Sequence, residues 1–211
     1  MADEPSEVGD LLRRAAVGDQ DALAEAFGLF RDRLKRMVQL RLDRRLQGRV
    51  DPSDVLQEAY LDLARRAAEF LARPALPFFL WLRLLTGQRL LAIHRQHLGT
   101  RMRDVGQEVA LHHGAMPQAT SASLAAQLLG RLSSPSKAAM RAEMQLRLQE
   151  ALNSMDAIDR EVLVLRHFEE LSNDETAEVL GLQKAAASNR YVRALKRLRS
   201  ILRSMPGFSE P

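Results

Sequence analysis

The chain has 211 residues, of which 46% are hydrophobic and 27% charged, enough apolar content for one large or two small packed domains and too much for a disordered chain. It contains no cysteine, which excludes disulfides and thiolate metal sites. Its net charge of +4 hides segregation, since residues 1–27 and 143–178 are acidic while 83–103 and 184–203 are basic, a pattern that points to two nucleic-acid surfaces and to acidic partner-binding ones.

Leu, Ala, Arg and Glu outnumber β-branched and aromatic residues, which favours helix, and no segment shows convincing strand alternation. The expected fold class is therefore all-α. The acidic start, MADEPSEVGD, lacks the basic and apolar regions of a signal peptide. The strongest apolar run, 78–82, is too short to span a bilayer. A soluble, cytoplasmic chain without membrane insertion is expected.

Residues 1–19 read as an acidic extension. Residues 21–46 read as one long amphipathic helix, with Leu23, Phe27, Phe30, Leu34, Met37, Val38 and Leu42 at helical spacing. Asp51-Pro52-Ser53-Asp54 is a helix start, with Asp51 as N-cap and Pro52 in the first turn. That helix runs through VLQEAYLDLARRAAEF and breaks at RPALP, residues 73–77. A further helix spans 78–97, with Trp81, Leu82, Leu85 and Leu91 assigned to its core side. Regularity fades over 105–143, where Gly106, Gly114, Pro117, Gly130 and Pro135 suggest a flexible linker with one short helix. Periodic leucines return from Met144, and Asp156 is placed to cap a helix over 157–167.

The C-terminal segment carries the densest information. Ser172 and Glu175 form a capping box, so a helix starts near Asn173. Gly181 supplies a left-handed turn, and Ala177, four residues earlier, lets a second helix approach closely. That second helix, 183–203, holds seven basic and no acidic residues. At ~100° per residue, Tyr191, Leu195, Leu198 and Leu202 fall on one stripe, expected to be buried. Asn189, Arg190, Arg193, Lys196 and Arg197 cluster away from it. A capped acidic helix, a tight turn and a basic helix together describe a helix-turn-helix that reads DNA.

In combination, DPSDVLQEAYLDLARR at 51–66, FFLWLRLLTGQRLLAIHRQH at 78–97 and the run from LQEALNSMDAIDREVL into the basic helix resemble the RNA polymerase sigma factors of the small, two-domain, extracytoplasmic-function class, within the sigma-70-like superfamily. The resemblance covers about residues 20–103 and 146–202. It implies two small helical domains joined by a flexible linker, with 20–104 binding core polymerase and the −10 element, 105–143 as linker, 144–204 binding the −35 element, and 205–211 as a tail.

The resemblance also implies residue roles. Asp51, Asp54, Gln57, Glu58, Tyr60 and Leu61 match the face that docks on a coiled coil of the largest polymerase subunit. Arg83, Gln88, Arg89, His94, Arg95 and Arg101 are the candidates for −10 DNA. Lys184, Ser188, Asn189, Arg190, Arg193, Lys196 and Arg197 are those for −35 DNA, with Asn189 and Arg193 placed on base edges and the other cations on phosphates. Promoter DNA and core polymerase are the expected partners, with an anti-sigma factor as a candidate third. The helix starts with Lys184-Ala185-Ala186-Ala187-Ser188, where family members often carry Gly-Thr-Val followed by a basic residue.

Two other classes compete. A helix-turn-helix regulator with a helical sensor domain fits the C-terminal half but leaves 51–66 and the second basic tract unexplained. A nucleic-acid enzyme has little support. His94 and His97, or His112 and His113, lack a carboxylate orienter, and no phosphate-cradling loop or nucleophile motif is present. No catalytic residue, cofactor or metal is expected.

Overall fold

The computed structural model describes residues 6–98, 108–111, 114–132 and 138–203. The chain divides into two compact units, Met1–Pro117 and Gln118–Pro211, and in both the architecture is helical.

The first unit opens with α1 (Ser6–Ala16), which buries Val8 and Leu11 and packs on the two helices that follow. Part of the segment read as an extension is thus built into this unit. Next comes α2 (Gln20–Arg41), capped by the Asp19 carboxylate accepting from the Ala22 N–H at 3.0 Å. The helix stops short of the expected residue 46. Leu42 leaves helical geometry, and Asp43 caps a separate 3₁₀ turn, Arg44–Leu46, by accepting from the Arg45 N–H. A carboxylate able to accept from a nearby backbone N–H competes with helix continuation.

As expected, α3 (Pro52–Ala72) starts at Asp51, whose carboxylate accepts from the Ser53 N–H at 2.7 Å. After the proline-bounded break, α4 (Phe78–Leu98) completes the bundle. The core is filled by Leu34, Met37 and Val38 of α2, Val55, Ala59 and Leu63 of α3, and Leu82, Leu85 and Leu90 of α4. An aromatic cluster closes one end: Phe70 and Trp81 stack at 4.1 Å with Phe78 beside them. Trp81 is therefore core, as its leucine-rich surroundings indicated.

Within the expected linker lies a two-stranded antiparallel ribbon, β1 (Glu108–Leu111) and β2 (Gly114–Pro117), in which Val109 pairs with Met116. Four-residue strands are too short to leave an alternation signal. The second strand lies on α4. Met116 fills the notch left by Gly87, where any Cβ would collide with its Cε, and the buried Arg41 guanidinium donates to the Pro117 carbonyl at 2.8 Å.

The second unit contains α5 (Ser121–Leu132) packed on α6 (Ala138–Asn153), then α7 (Ala157–Leu163), α8 (Asn173–Leu180) and α9 (Lys184–Arg203). Arg160 closes the α6 C-terminus by donating to the Leu152 and Met155 carbonyls. Asp156 caps α7 by accepting from the Ile158 N–H. The expected single helix over 157–167 changes character halfway, because Val164–Phe168 widens to a π-helix whose first two carbonyls, those of Val164 and Leu165, accept from the Glu169 and Leu171 N–H groups. Such widening inserts residues without ending the helix and turns Val164, Leu165 and Phe168 into the core.

Candidate nucleic-acid interface

The approach to α9 is built from local rules. Ser172 and Glu175 satisfy each other's backbone N–H at 3.1 and 2.7 Å, a complete capping box. Nine residues after Ser172, Gly181 adopts φ 62°, ψ 35°, and the Leu182 N–H returns to the Ala177 carbonyl at 2.8 Å, closing the helix as a left-handed C-terminal motif. Asn173 donates to the Lys184 carbonyl at 3.0 Å, while Asp174 pairs with the Lys184 ammonium. The first turns of α8 and α9 are thereby locked together.

The buried line of α9 is Ala187, Ala194 and Ile201, spaced by seven. Tyr191, Leu195, Leu198 and Leu202, expected to form that line, flank it half-buried. Small residues at the centre draw the helix axis close to its neighbours, so the leucines touch from the side. Tyr191 keeps its hydroxyl 3.0 Å from His167 Nε2.

Three of the expected DNA contacts on α9 already have a protein partner: Lys184 on Asp174, and Arg190 and Arg193 on Asp159. Asp159, whose side chain is 9% exposed, accepts from Arg193 through Nε and Nη2 and from Arg190 through Nη1, all at 2.9 Å. The Arg193 fork, with Arg190 beside it, holds the Asp159 carboxyl below the usual carboxylate range. Ser188, Asn189, Val192, Lys196 and Arg197 face outward. Asp159 left no readable signal, because it lies 34 residues from Arg193. Val192 was hidden among charged neighbours.

On the first unit, Asp54, Gln57, Glu58 and Leu61 are exposed on α3. Tyr60 is half-buried, edge-on to Phe27 at 5.2 Å. Asp51 is occupied as the helix cap, and its bond to the Ser53 backbone lowers its carboxyl from the usual value. Gln57, Tyr60 and Leu61 border a groove of about 510 Å³ between α2 and α3, with Phe27, Gly28 and Arg31 opposite. Apolar and polar groups and one cation, Arg31, thus line one shallow channel.

The α4 candidates divide. Gln88 and Arg95 are exposed, with Gln88 3.4 Å from the Arg66 guanidinium. Arg89 is tied to Asp62 and Glu58, bracing α4 on α3. Arg83 and His94 were expected on DNA, but the structure places them in the interior, at 2% and 3% exposure. Arg83 shares its helix face with Gly87, the face on which β2 lies. His94 packs on the end of α2, accepting from the Asp43 N–H at 3.3 Å, and burial pushes its imidazole below its usual pKa. Arg101 lies outside the described residues.

Residues 145–198 match the family "Sigma-70, region 4", the span that holds the capping box, the Gly181 turn and most of α9. Over 189 residues the chain is 26% identical to ECF RNA polymerase sigma factor SigD of Mycobacterium bovis and of Mycobacterium tuberculosis, spanning 90% of this chain and 81% of each relative. Among solved structures it is similar in fold to CnrH, determined in complex with the cytosolic domain of CnrY. The TM-score there is 0.54 at 21% identity, covering 93% of this chain and 97% of that one. Among the described residues, no helix is long and apolar enough to cross a membrane.

Proposed function

We infer, from the premise that the chain belongs to the RNA polymerase sigma factors of the extracytoplasmic-function class, that its chemistry is recognition and its two units carry separate tasks. It directs promoter-specific transcription initiation, binding core polymerase and promoter DNA. The family is not one of enzymes, and the phosphoryl chemistry of transcription belongs to the polymerase. We place its work in the cytoplasm, with the transcription machinery.

The observation that supports this reading best is the α8–α9 pair. A capped acidic helix and a left-handed turn deliver a helix whose outer face carries Ser188, Asn189, Lys196 and Arg197, inside the matched span. Lys196 and Arg197 supply phosphate attraction, and Asn189 supplies a bidentate amide for a base edge. On the first unit, the exposed Asp54, Gln57, Glu58 and Leu61 are the proposed polymerase face. Gln88 and Arg95, with Arg66 beside Gln88, form the proposed −10 surface. Cations there hold the backbone of an opened strand. An anti-sigma factor that covers the α2–α3 groove is a further proposed partner.

Replacing Asp54 and Glu58 together by Arg tests the division of labour. Reversing two rim charges should weaken binding of core polymerase by at least about tenfold, read by titration of labelled core, with circular dichroism unchanged. Undiminished core affinity would remove that role from α3.

A further inference from the structure

The outward face of α9 contains one large apolar side chain. Val192 is 45% exposed, three residues after Asn189 and four before Lys196, both exposed. At ~100° per residue these three share one surface strip with Ser188. A lone exposed valine is ordinary on a protein surface. Its position between the amide and the ammonium that the DNA-reading assignment uses is what gives it meaning, and the inference rests on that assignment.

The arginines sharpen the point. Guanine is most often read by an arginine fork laid on O6 and N7. In α9 the Arg193 fork is already laid on Asp159 through Nε and Nη2, and Arg190 donates to the same carboxylate. Swinging Arg193 onto a guanine would take two of the three donors from a carboxylate only 9% exposed and leave it Arg190 alone, a cost that a base contact must first repay. The strip left to face the groove offers a hydroxyl, an amide, two valine methyls and an ammonium. An amide suits the N6 and N7 edge of adenine, and an exposed valine suits the one apolar group in the major groove, the thymine 5-methyl.

We propose that Val192 is a specificity-determining residue that packs against a thymine methyl in the upstream promoter element, so that α9 reads an adenine–thymine step where an arginine fork would read guanine. Asp159 is the positioning residue that holds the fork out of the groove. No bond is made or broken; the discrimination is burial of one methyl group, worth about fourfold in affinity.

The test uses the full chain with core polymerase and duplexes selected by that complex from a random pool. Each thymine of the selected upstream element is replaced in turn by uracil, which removes the methyl and leaves the hydrogen-bonding edges unchanged. The wild-type complex should lose about fourfold in affinity at one position, and Val192→Ala should bind the thymine and uracil duplexes equally there. Val192→Ala should also keep the salt dependence of binding, because no phosphate contact is touched. Alanine at an exposed helix position favours the fold, so a folding defect does not confound the readout. Retention of the full thymine preference by Val192→Ala overturns the proposal and leaves the DNA-reading assignment standing. Failure of the wild-type complex to select any duplex overturns both.

Discussion

Helices α4 and α9 are of nearly equal length and both were read as DNA-binding from their basic residues, yet they spend their charges differently. In α4, Arg83 and His94 are interior and Arg89 braces the bundle against Asp62. In α9, the buried line is only Ala187, Ala194 and Ile201, and most cations stay outside. A helix packed on neighbours around most of its circumference must pair or neutralise its charges within the protein. A helix docked by a stripe of small residues keeps a broad outer face. The number of basic residues in a segment therefore says less about a DNA surface than the width of the stripe that anchors it.

The largest expected effect breaks this contrast at its strongest point. Arg83→Glu places an uncompensated charge inside the first unit and should cost about 3–5 kcal/mol of stability, measured by urea denaturation. Lys196→Glu, on the outer face of α9, should leave stability within about 0.5 kcal/mol while weakening upstream-element binding. Similar stability losses for the two would erase the distinction between the helices.

An intermediate effect is expected at Asp159. Asp159→Asn removes the charged acceptor of Arg190 and Arg193 and should cost about 1–2 kcal/mol. It should also release the Arg193 fork, so that duplexes selected by the variant complex gain guanine at a neighbouring position. Unaltered stability would show that the ion pair does not anchor α9.

The smallest effect concerns pH. Burial depresses the His94 pKa below its usual 6.5, so the folded state favours the neutral ring. That contribution is complete above the unfolded value and is lost as pH falls below it toward the folded value. Denaturation midpoints should therefore drop modestly between about pH 7.5 and 5.5. His94→Gln, which keeps an acceptor for the Asp43 N–H, should flatten that drop, and an unchanged slope would contradict it.

What the sequence revealed was local. Asp51 before Pro52, the Ser172–Glu175 box, Gly181 and the proline break at 73–77 each act over a few residues, and each appears where expected. Long-range placements were not legible. The Asp159–Arg193 pair joins residues 34 apart, and the burial of Arg83 depends on how α4 is packed by its neighbours, which no periodicity encodes. The buried line of α9 was misread for a related reason: alanine carries a weak hydrophobic signal, but small size is what close helix packing selects. Sequence patterns therefore located the basic helix and four of the five outward residues Ser188, Asn189, Val192, Lys196 and Arg197, while the fold decided which arginines were paired within the protein.

Transcription reconstituted from core polymerase and the full chain tests the central claim most directly. On a template carrying a promoter selected by the complex, a transcript from one defined start is expected, and it should disappear when the chain is omitted. Absence of that transcript, with folded chain and core of verified activity, would contradict the claim.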